Sequence, residues 1–309
     1  MKKFDIIDST QFFPKMLIGR SMEKLLARLP WSLEHWIEGP AYVITPRKLE
    51  GLLNIKEIWK YRGVFYSFAH RDFKLRYRQT LLGFGWVIIQ PLLSVGVFSL
   101  LFHKLVKIPS EGIPYPLFIY SALLPWTLFC NCITRASTSL AGNFQLLTKA
   151  FFPRILIPSS SLITPMIDFF IGFCFLLLTL IAYGFPISGK LMAIPFLTFL
   201  TMLFALGVSL WLSAIHVCIR DLGNILHLTL QLWMFCTPVL YPANLIAEKH
   251  RVLYYLNPMV GIISGFRSAI VGTNFDFSAL TVSMAFTMAL LITGVYFFRY
   301  AECVLADVV

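Results

Sequence analysis

The chain has 309 residues, of which 58% are hydrophobic and 13% charged, with a formal net charge of +11. A soluble domain carries roughly a quarter charged residues, so this composition excludes a secreted enzyme, a nucleic-acid binder and a disulfide scaffold. The shortage is local: residues 1–82 hold 15 Lys/Arg and 8 Asp/Glu, and residues 83–309 hold 11 and 7. The chain reads as a polar, basic N-terminal piece joined to an all-α integral membrane domain.

The opening "MKKFDIIDST" has no apolar run ending in a small-residue cleavage site. No signal peptide is expected, and the N-terminus is expected to stay cytoplasmic. Residues 1–54 read as a loosely ordered leader. Residues 55–82, "NIKEIWKYRGVFYSFAHRDFKLRYRQT" with its flanks, read as an amphipathic interface helix. Phe65, Phe68 and Leu75 recur on one side, and Arg71, Lys74 and Arg78 at i, i+3 and i+7 on another. A basic, aromatic-rich helix before a span belongs in the plane of the membrane surface.

Residues 83–309 form the membrane domain. A crossing takes ~20 mostly apolar residues, and six stretches qualify: 84–106, 116–139, 157–183, 191–217, 222–241 and 277–298. The stretch 252–272 is a seventh candidate, but Asn257–Pro258 breaks it and Arg267 lies inside it. With its surroundings, 242–276, it reads as an external re-entrant segment with short apolar arms. Lys/Arg placement then puts 20 basic residues on the cytoplasmic side and 6 outside, which makes both termini cytoplasmic. The net charge is thus mostly a topology signal.

Candidate functional residues follow in chain order. Lys149, Phe151, Phe152 and Arg154 lie in a cytoplasmic loop whose apolar character is odd to expose unless it docks on a partner. Asp168 sits in the third span, where an acid costs at least ~2.5–3.5 kcal/mol on insertion scales. A proton relay would need several titratable groups in series, and only His216 and His227 are available. A packing or gating residue, bonded to Ser, Thr or backbone of a neighbouring helix, is therefore expected. Gly184-Phe-Pro-Ile-Ser-Gly-Lys190 matches seven positions of a phosphate-binding loop but has Leu191 at the eighth, between two spans, and reads as a tight external turn. Arg220 and Asp221 separate the fourth and fifth stretches, with Asp221 placed to cap the next helix. Tyr254, Tyr255, Pro258, Gly261, Gly265 and Arg267 mark an outer gate, with Gly261 and Gly265 spaced for close helix packing. Trp126 and Tyr241 join Tyr254 and Tyr255 as aromatics able to stack on sugars. The six cysteines show no CxxC pair and read as reduced, lipid-buried side chains. No metal or cofactor site is expected on this chain.

Taken together, "RDFKLRYRQTLLGFGWVIIQPLL", "IPYPLFIYSALLPWTLFCNCITRAS", "LLTKAFFPRILIPSSS", "MIDFFIGF", "IRDLGNIL", "QLWMFCTPVLYP", "LYYLNPMVGIISGFRSAI" and "FRYAECVLADVV" resemble the permease subunit of ABC-2 type exporters for cell-surface polysaccharides, including O-antigen and teichoic acid. The resemblance covers roughly residues 55–309. It implies a homodimeric pore with two copies of a separate ABC ATPase beneath, which would bind the ATP and Mg. The substrate would be a lipid-linked polysaccharide passing outward, and this chain would not itself be an enzyme. In that frame Arg71, Lys74, Arg76 and Arg78 are expected to attract a lipid pyrophosphate at the cytoplasmic entrance, and the 143–156 loop to dock the ATPase. Alternatives are an ABC-2 permease for a drug or small lipid, an ion-coupled secondary transporter, or a membrane-embedded glycosyltransferase. The last two lack an internal repeat and paired carboxylates respectively.

Overall fold

In a computed structural model, described over residues 55–77, 85–105, 112–143, 152–219, 221–246 and 248–307, every regular element is a helix. In chain order they are α1 (Ile55–Lys60), α2 (Arg62–Tyr77), α3 (Gly85–Phe98, continued as a π-helix over Ser99–Leu105), α4 (Tyr115–Gly142), α5 (Leu156–Ser160), α6 (Ile163–Ala182), α7 (Ile194–Cys218), α8 (Leu222–Phe235), α9 (Glu248–Tyr255), α10 (Pro258–Val271) and α11 (Phe277–Asp307). The expected leader, together with Arg78, Lys149, Phe151 and Arg220, lies outside the described residues.

Five helices are long and apolar enough to cross a membrane: Gly85–Phe102, Tyr115–Gly142, Leu156–Ala182, Gly189–Val217 and Phe277–Glu302. They correspond to the first four and the last of the six expected spans. The expected span 222–241 is shorter: α8 has 14 residues and gives way to turns at Cys236–Leu240. Pro238, which lacks a backbone N–H, stops the helix there. At 1.5 Å per residue α8 is about 21 Å long.

The interface helix also differs from its expected pattern. Phe68 and Ala69 are buried against the bundle, whereas Leu75, expected on the same face as Phe68, is exposed, as are Trp59 and Tyr66. The break at Asn257–Pro258 is where the sequence placed it. Asn257 accepts a hydrogen bond from the Met259 N–H, Pro258 opens α10, and Gly272 closes it at φ 88, a left-handed cap that suits glycine. Of the two expected apolar arms, only α10 is apolar and buried; α9 exposes the basic side chains Lys249, His250 and Arg251.

Helix α4 is the buried centre, packed by α6, α7 and α10, with α11 against α7 and α10. Large apolar side chains point outward from the surrounding helices, among them Leu93, Leu178, Phe199, Leu228 and Ile292. Apolar cover on this scale suits lipid, and the chain is a multi-pass membrane protein.

Two ends of the bundle can be told apart. At one, Phe68 of α2 shares a cluster with Leu140, Ile155, Ala214 and Phe298, so α4, α7 and α11 finish beside α2. At the other, the Tyr115 hydroxyl donates to the Leu240 carbonyl at 3.1 Å and Arg267 donates to the Pro238 carbonyl at 2.9 Å. The chain therefore leaves the α2 end after α7 and reaches the far end by residue 238, using only α8 and the turn that follows.

Candidate functional site

Helix α6 turns Asp168, Phe169, Gly172 and Leu176 inward, a helical stripe that puts one carboxylate on a buried apolar face. Asp168 is the sixth residue of α6, near the α2 end rather than at mid-span. The last turn of α2 brings its partners. Arg76 Nη2 lies 2.6 Å from Asp168 Oδ2, and the Tyr77 hydroxyl donates to Asp168 Oδ1. The Arg76 contact is an ion pair by distance without hydrogen-bond alignment, so Tyr77 supplies the directed bond. Burial first, and then the bond to Asp168 and its charge, push the Tyr77 hydroxyl up to about 12, so it stays protonated as the donor.

This arrangement corrects two expectations. The partners of Asp168 are a cation, Arg76, and a neutral phenol hydroxyl, Tyr77, both from the helix before the first span, not a Ser, Thr or backbone group of a neighbouring helix. The expected row of entrance cations is also partly engaged. Arg71 donates to Asp72 Oδ1 at 2.9 Å and to Asn143 Oδ1 at 2.7 Å, and its guanidinium lies 5.0 Å from the Phe68 ring centre. Asn143 in turn donates to the Ser139 carbonyl at 2.7 Å, so Arg71 ties α2 to the end of α4. Lys74 remains exposed.

Beside Asp168 opens a cavity of about 520 Å³ between α3, α4, α6 and α8. Arg76 and Asp168 stand in its wall, Phe98, Trp126, Phe169 and Met234 give apolar surface, and Gln90, Asn131 and Gln231 give amides. The sequence reading overlooked those amides and Tyr77. The available signal was an uncharged polar residue inside an otherwise apolar span. Trp126 is largely buried in an aromatic cluster, tilted against Phe129 at 5.7 Å and edge-to-face with Trp233 at 6.4 Å between ring centres, rather than displayed near the outer side.

Of the loop residues expected to dock a partner, Phe152 and Arg154 sit in the same corner as α2. Phe152 packs on Phe68 with ring centres 5.6 Å apart, and the Arg154 backbone N–H donates to Glu302 Oε1 at 3.4 Å. Asp221 holds the N-cap position of α8 but makes no side-chain cap bond, because its own backbone is already helical at φ −75° and ψ −5°. Its carbonyl accepts from the Asn224 and Ile225 N–H groups instead.

At the far end, Tyr255 donates to Asp276 Oδ2 at 2.5 Å, while the Tyr254 and Tyr241 hydroxyls are 3.5 Å apart. Burial, then the Tyr241 contact, raises the Tyr254 hydroxyl. Arg267 is buried with its guanidinium 3.8 Å from the Phe118 ring centre. Gly261 lies against α11, where a Cβ would sit 2.3 Å from the Ala279 carbonyl oxygen, and a Cβ on Gly265 would meet Leu197 at 3.0 Å. The ammonium of Lys190 donates to the Gly272 and Thr273 carbonyls at 2.9 and 2.7 Å and meets Asn274 Oδ1 at 3.3 Å. That amine closes the C-terminus of α10, which accounts for the phosphate-loop-like string as a helix-capping turn.

Among the described residues, no group of three or more His, Cys, Asp or Glu is placed to hold a metal ion. Cys130, Cys132, Cys174 and Cys236 are free thiols, with Cys174 and Cys236 exposed rather than buried.

Comparison with known proteins adds a family. The ABC-2 type transporter model matches residues 64–271. The O-antigen export system permease protein RfbA of Myxococcus xanthus is 32% identical over 217 residues, covering 69% of this chain and 82% of the relative. A protein of the same name from Klebsiella pneumoniae is 27% identical over 240 residues, covering 76% and 92%. The polysialic acid transport protein KpsM of Escherichia coli is 20% identical over 238 residues, covering 75% and 91%.

Proposed function

Because the chain belongs to the ABC-2 type transporter family, we propose that it is the permease subunit of an ATP-driven exporter. Its substrate is a lipid-linked cell-surface polysaccharide, O-antigen-like or teichoic-acid-like, moved from the cytoplasm to the outer face of the inner membrane. The observation that carries the reading is the 32% identity to an O-antigen export permease across 69% of the chain. The cavity beside Asp168 supports it, since a polar-lined recess among apolar helices suits a hydrophilic cargo.

In this reading α8 is the fifth of six crossings. The chain must travel from the α2 end to the far end between Ala214 and Pro238, and a 14-residue helix with its turn spans much of a bilayer whose hydrocarbon is ~30 Å thick. The α2 end is then cytoplasmic, both termini included, and α9 with α10 forms an external re-entrant segment that closes the outer mouth. Helices α1 and α2 lie along the inner surface, where exposed Trp59, Tyr66 and Leu75 meet lipid. The corner made by α2, Phe152 and Arg154 is the docking surface for the ATPase. Two copies of this chain and two of the ATPase make the transporter, and ATP and Mg bind to the ATPase. Lys74, together with Arg78 beyond the described residues, supplies the cations for a lipid pyrophosphate, while Arg71 and Arg76 hold α2 in place.

An ion-coupled mechanism is disfavoured by Asp168, whose carboxylate already holds Arg76 and Tyr77. Deleting the gene and complementing it tests the proposal. Surface polysaccharide is lost in the deletion strain, returns with the intact chain, and fails to return when the co-purifying ATPase carries a disabled nucleotide site. Export that continues without that ATPase on an ion gradient alone would overturn it.

A further inference from the structure

Three helices bring pairs of polar side chains to one cavity. Helix α3 supplies Gln90 and Ser94, α4 supplies Asn131 and Thr134, and α8 supplies His227 and Gln231, each pair three or four residues apart and so on one helix face. All six line the cavity that begins at the Arg76–Asp168 pair. Gln90, Asn131, Thr134, His227 and Gln231 are exposed there, and the side chains of these five have no hydrogen-bond partner among the described residues. Ser94 donates only to the Gln90 carbonyl of its own helix.

In hydrocarbon, each unsatisfied amide costs several kcal/mol. The three stripes meet at a single recess, while exposed Leu92 of α3 and Ile225 and Leu232 of α8 lie on other faces of their helices, so the recess gathers the amides and leaves their donors and acceptors for something else. A carboxamide offers two donors and two acceptor lone pairs, which matches a pair of neighbouring sugar hydroxyls. The amides carry no charge, so a neutral sugar residue can shift from one to the next without breaking an ion pair.

We infer that Gln90, Asn131 and Gln231 form a hydrogen-bonding ladder for the sugar hydroxyls of the transported glycan and help to set which sugars pass. The inference rests on the permease reading and refines it. Water occupies the ladder between sugars, so the recess is hydrated along its length.

The test uses the full chain with its ATPase in the deletion strain. Replacing all three amides by leucine, which favours membrane insertion, is expected to lower surface glycan at least tenfold while insertion and ATPase co-purification stay normal. The conservative set Gln90→Asn, Asn131→Gln and Gln231→Asn is expected to retain at least half of the export. Wild-type export by the leucine variant overturns the ladder. A second measurement does not depend on that variant's folding: Gln231→Cys in a chain with its six natural cysteines replaced by alanine. A water-soluble, positively charged methanethiosulfonate reagent is expected to modify it in cells and block further export. Export by that variant with no modification would mean a recess sealed by lipid or by a second copy, and would also overturn the ladder. If the unsubstituted chain fails to restore surface glycan, the permease reading itself fails.

Discussion

Arg76, in the helix before the first span, lies 2.6 Å from the carboxylate of Asp168 in α6, so the acid among the apolar spans and a cation outside them neutralise each other. The pair bolts α2 to the bundle at the wall of the cavity. Replacing Asp168 by leucine strands Arg76 and removes the acceptor of the Tyr77 hydroxyl. Breaking a buried pair from one side costs about 3–5 kcal/mol, and the partly exposed Arg76 puts this case at the lower end. Asp168→Asn keeps an acceptor for Tyr77 and costs about 1–3 kcal/mol. The double variant Arg76→Met with Asp168→Leu is expected to be more stable than Asp168→Leu alone. Thermal unfolding of the purified chain in detergent measures the cycle, and purely additive losses would show that the two residues are not coupled.

Tyr77 gives the same junction a pH dependence. Its hydroxyl is pushed up from 10.0 to about 12 in the folded chain. A raised value means the folded state favours the neutral form, so the stabilisation is complete below about pH 10 and disappears as the pH climbs through about 12. Tyr77→Phe removes the donor and is expected to cost about 1 kcal/mol at pH 8. The gap between wild type and Tyr77→Phe closes between about pH 10 and 12 in stability measurements. A gap that stays constant across that range would place the hydroxyl outside the junction.

How much of this was legible in the sequence depends on range. Local signals served well: Asn257–Pro258 breaks the chain where expected because a capping side chain and a proline act within a few residues. The long spans followed from apolar length. The fifth was overestimated, because apolar content continues through Cys236–Leu240 while Pro238 has already ended the helix. The site was legible as a list and not as a grouping. Asp168 stood out as an acid among apolar residues, but its partners are 91 and 92 positions earlier, and periodicity within one helix carries no record of which other helix it meets. The face of α2 was misjudged for a related reason: Phe68 packs and Leu75 does not, since the bundle covers only part of the helix.

At Gly261, α10 packs tightly against α11. A methyl group there would lie 2.3 Å from both the Ala279 carbonyl oxygen and Ser283 Oγ. Ser283 Oγ cannot simply swing aside, because it donates to the Pro258 carbonyl at 2.7 Å. Gly261→Ala therefore forces the helices apart at a cost of about 1–3 kcal/mol or more. Gly63→Ala in α2, with open space around it, is expected to be neutral or to stabilise by about 0.5–1 kcal/mol. Thermal unfolding of the two variants side by side separates packing from helix propensity, and equal behaviour would refute the close contact.

Arg267 joins three pieces of the far end. Its guanidinium covers the Phe118 ring of α4 at 3.8 Å, and its Nη2 donates to the Pro238 carbonyl at 2.9 Å, in the turn that ends α8. A planar, weakly hydrated cation can stack and donate sideways at once, whereas an ammonium concentrates its charge at one point. Arg267→Lys is therefore expected to keep one contact and lose the other. Arg267→Met keeps much of the apolar stem but leaves the Pro238 carbonyl without this donor, a loss of about 2–4 kcal/mol for a charge-assisted bond and a desolvated cation–π contact together. The order of stability should be wild type, then Lys, then Met. Because the affected turn adjoins the proposed outer mouth, the Met variant is also expected to leave α9 and the 236–240 turn more open. Amide hydrogen exchange in detergent reads this directly: faster exchange confined to residues 236–257 fits the clamp, and unchanged exchange there would show that Arg267 only fills space.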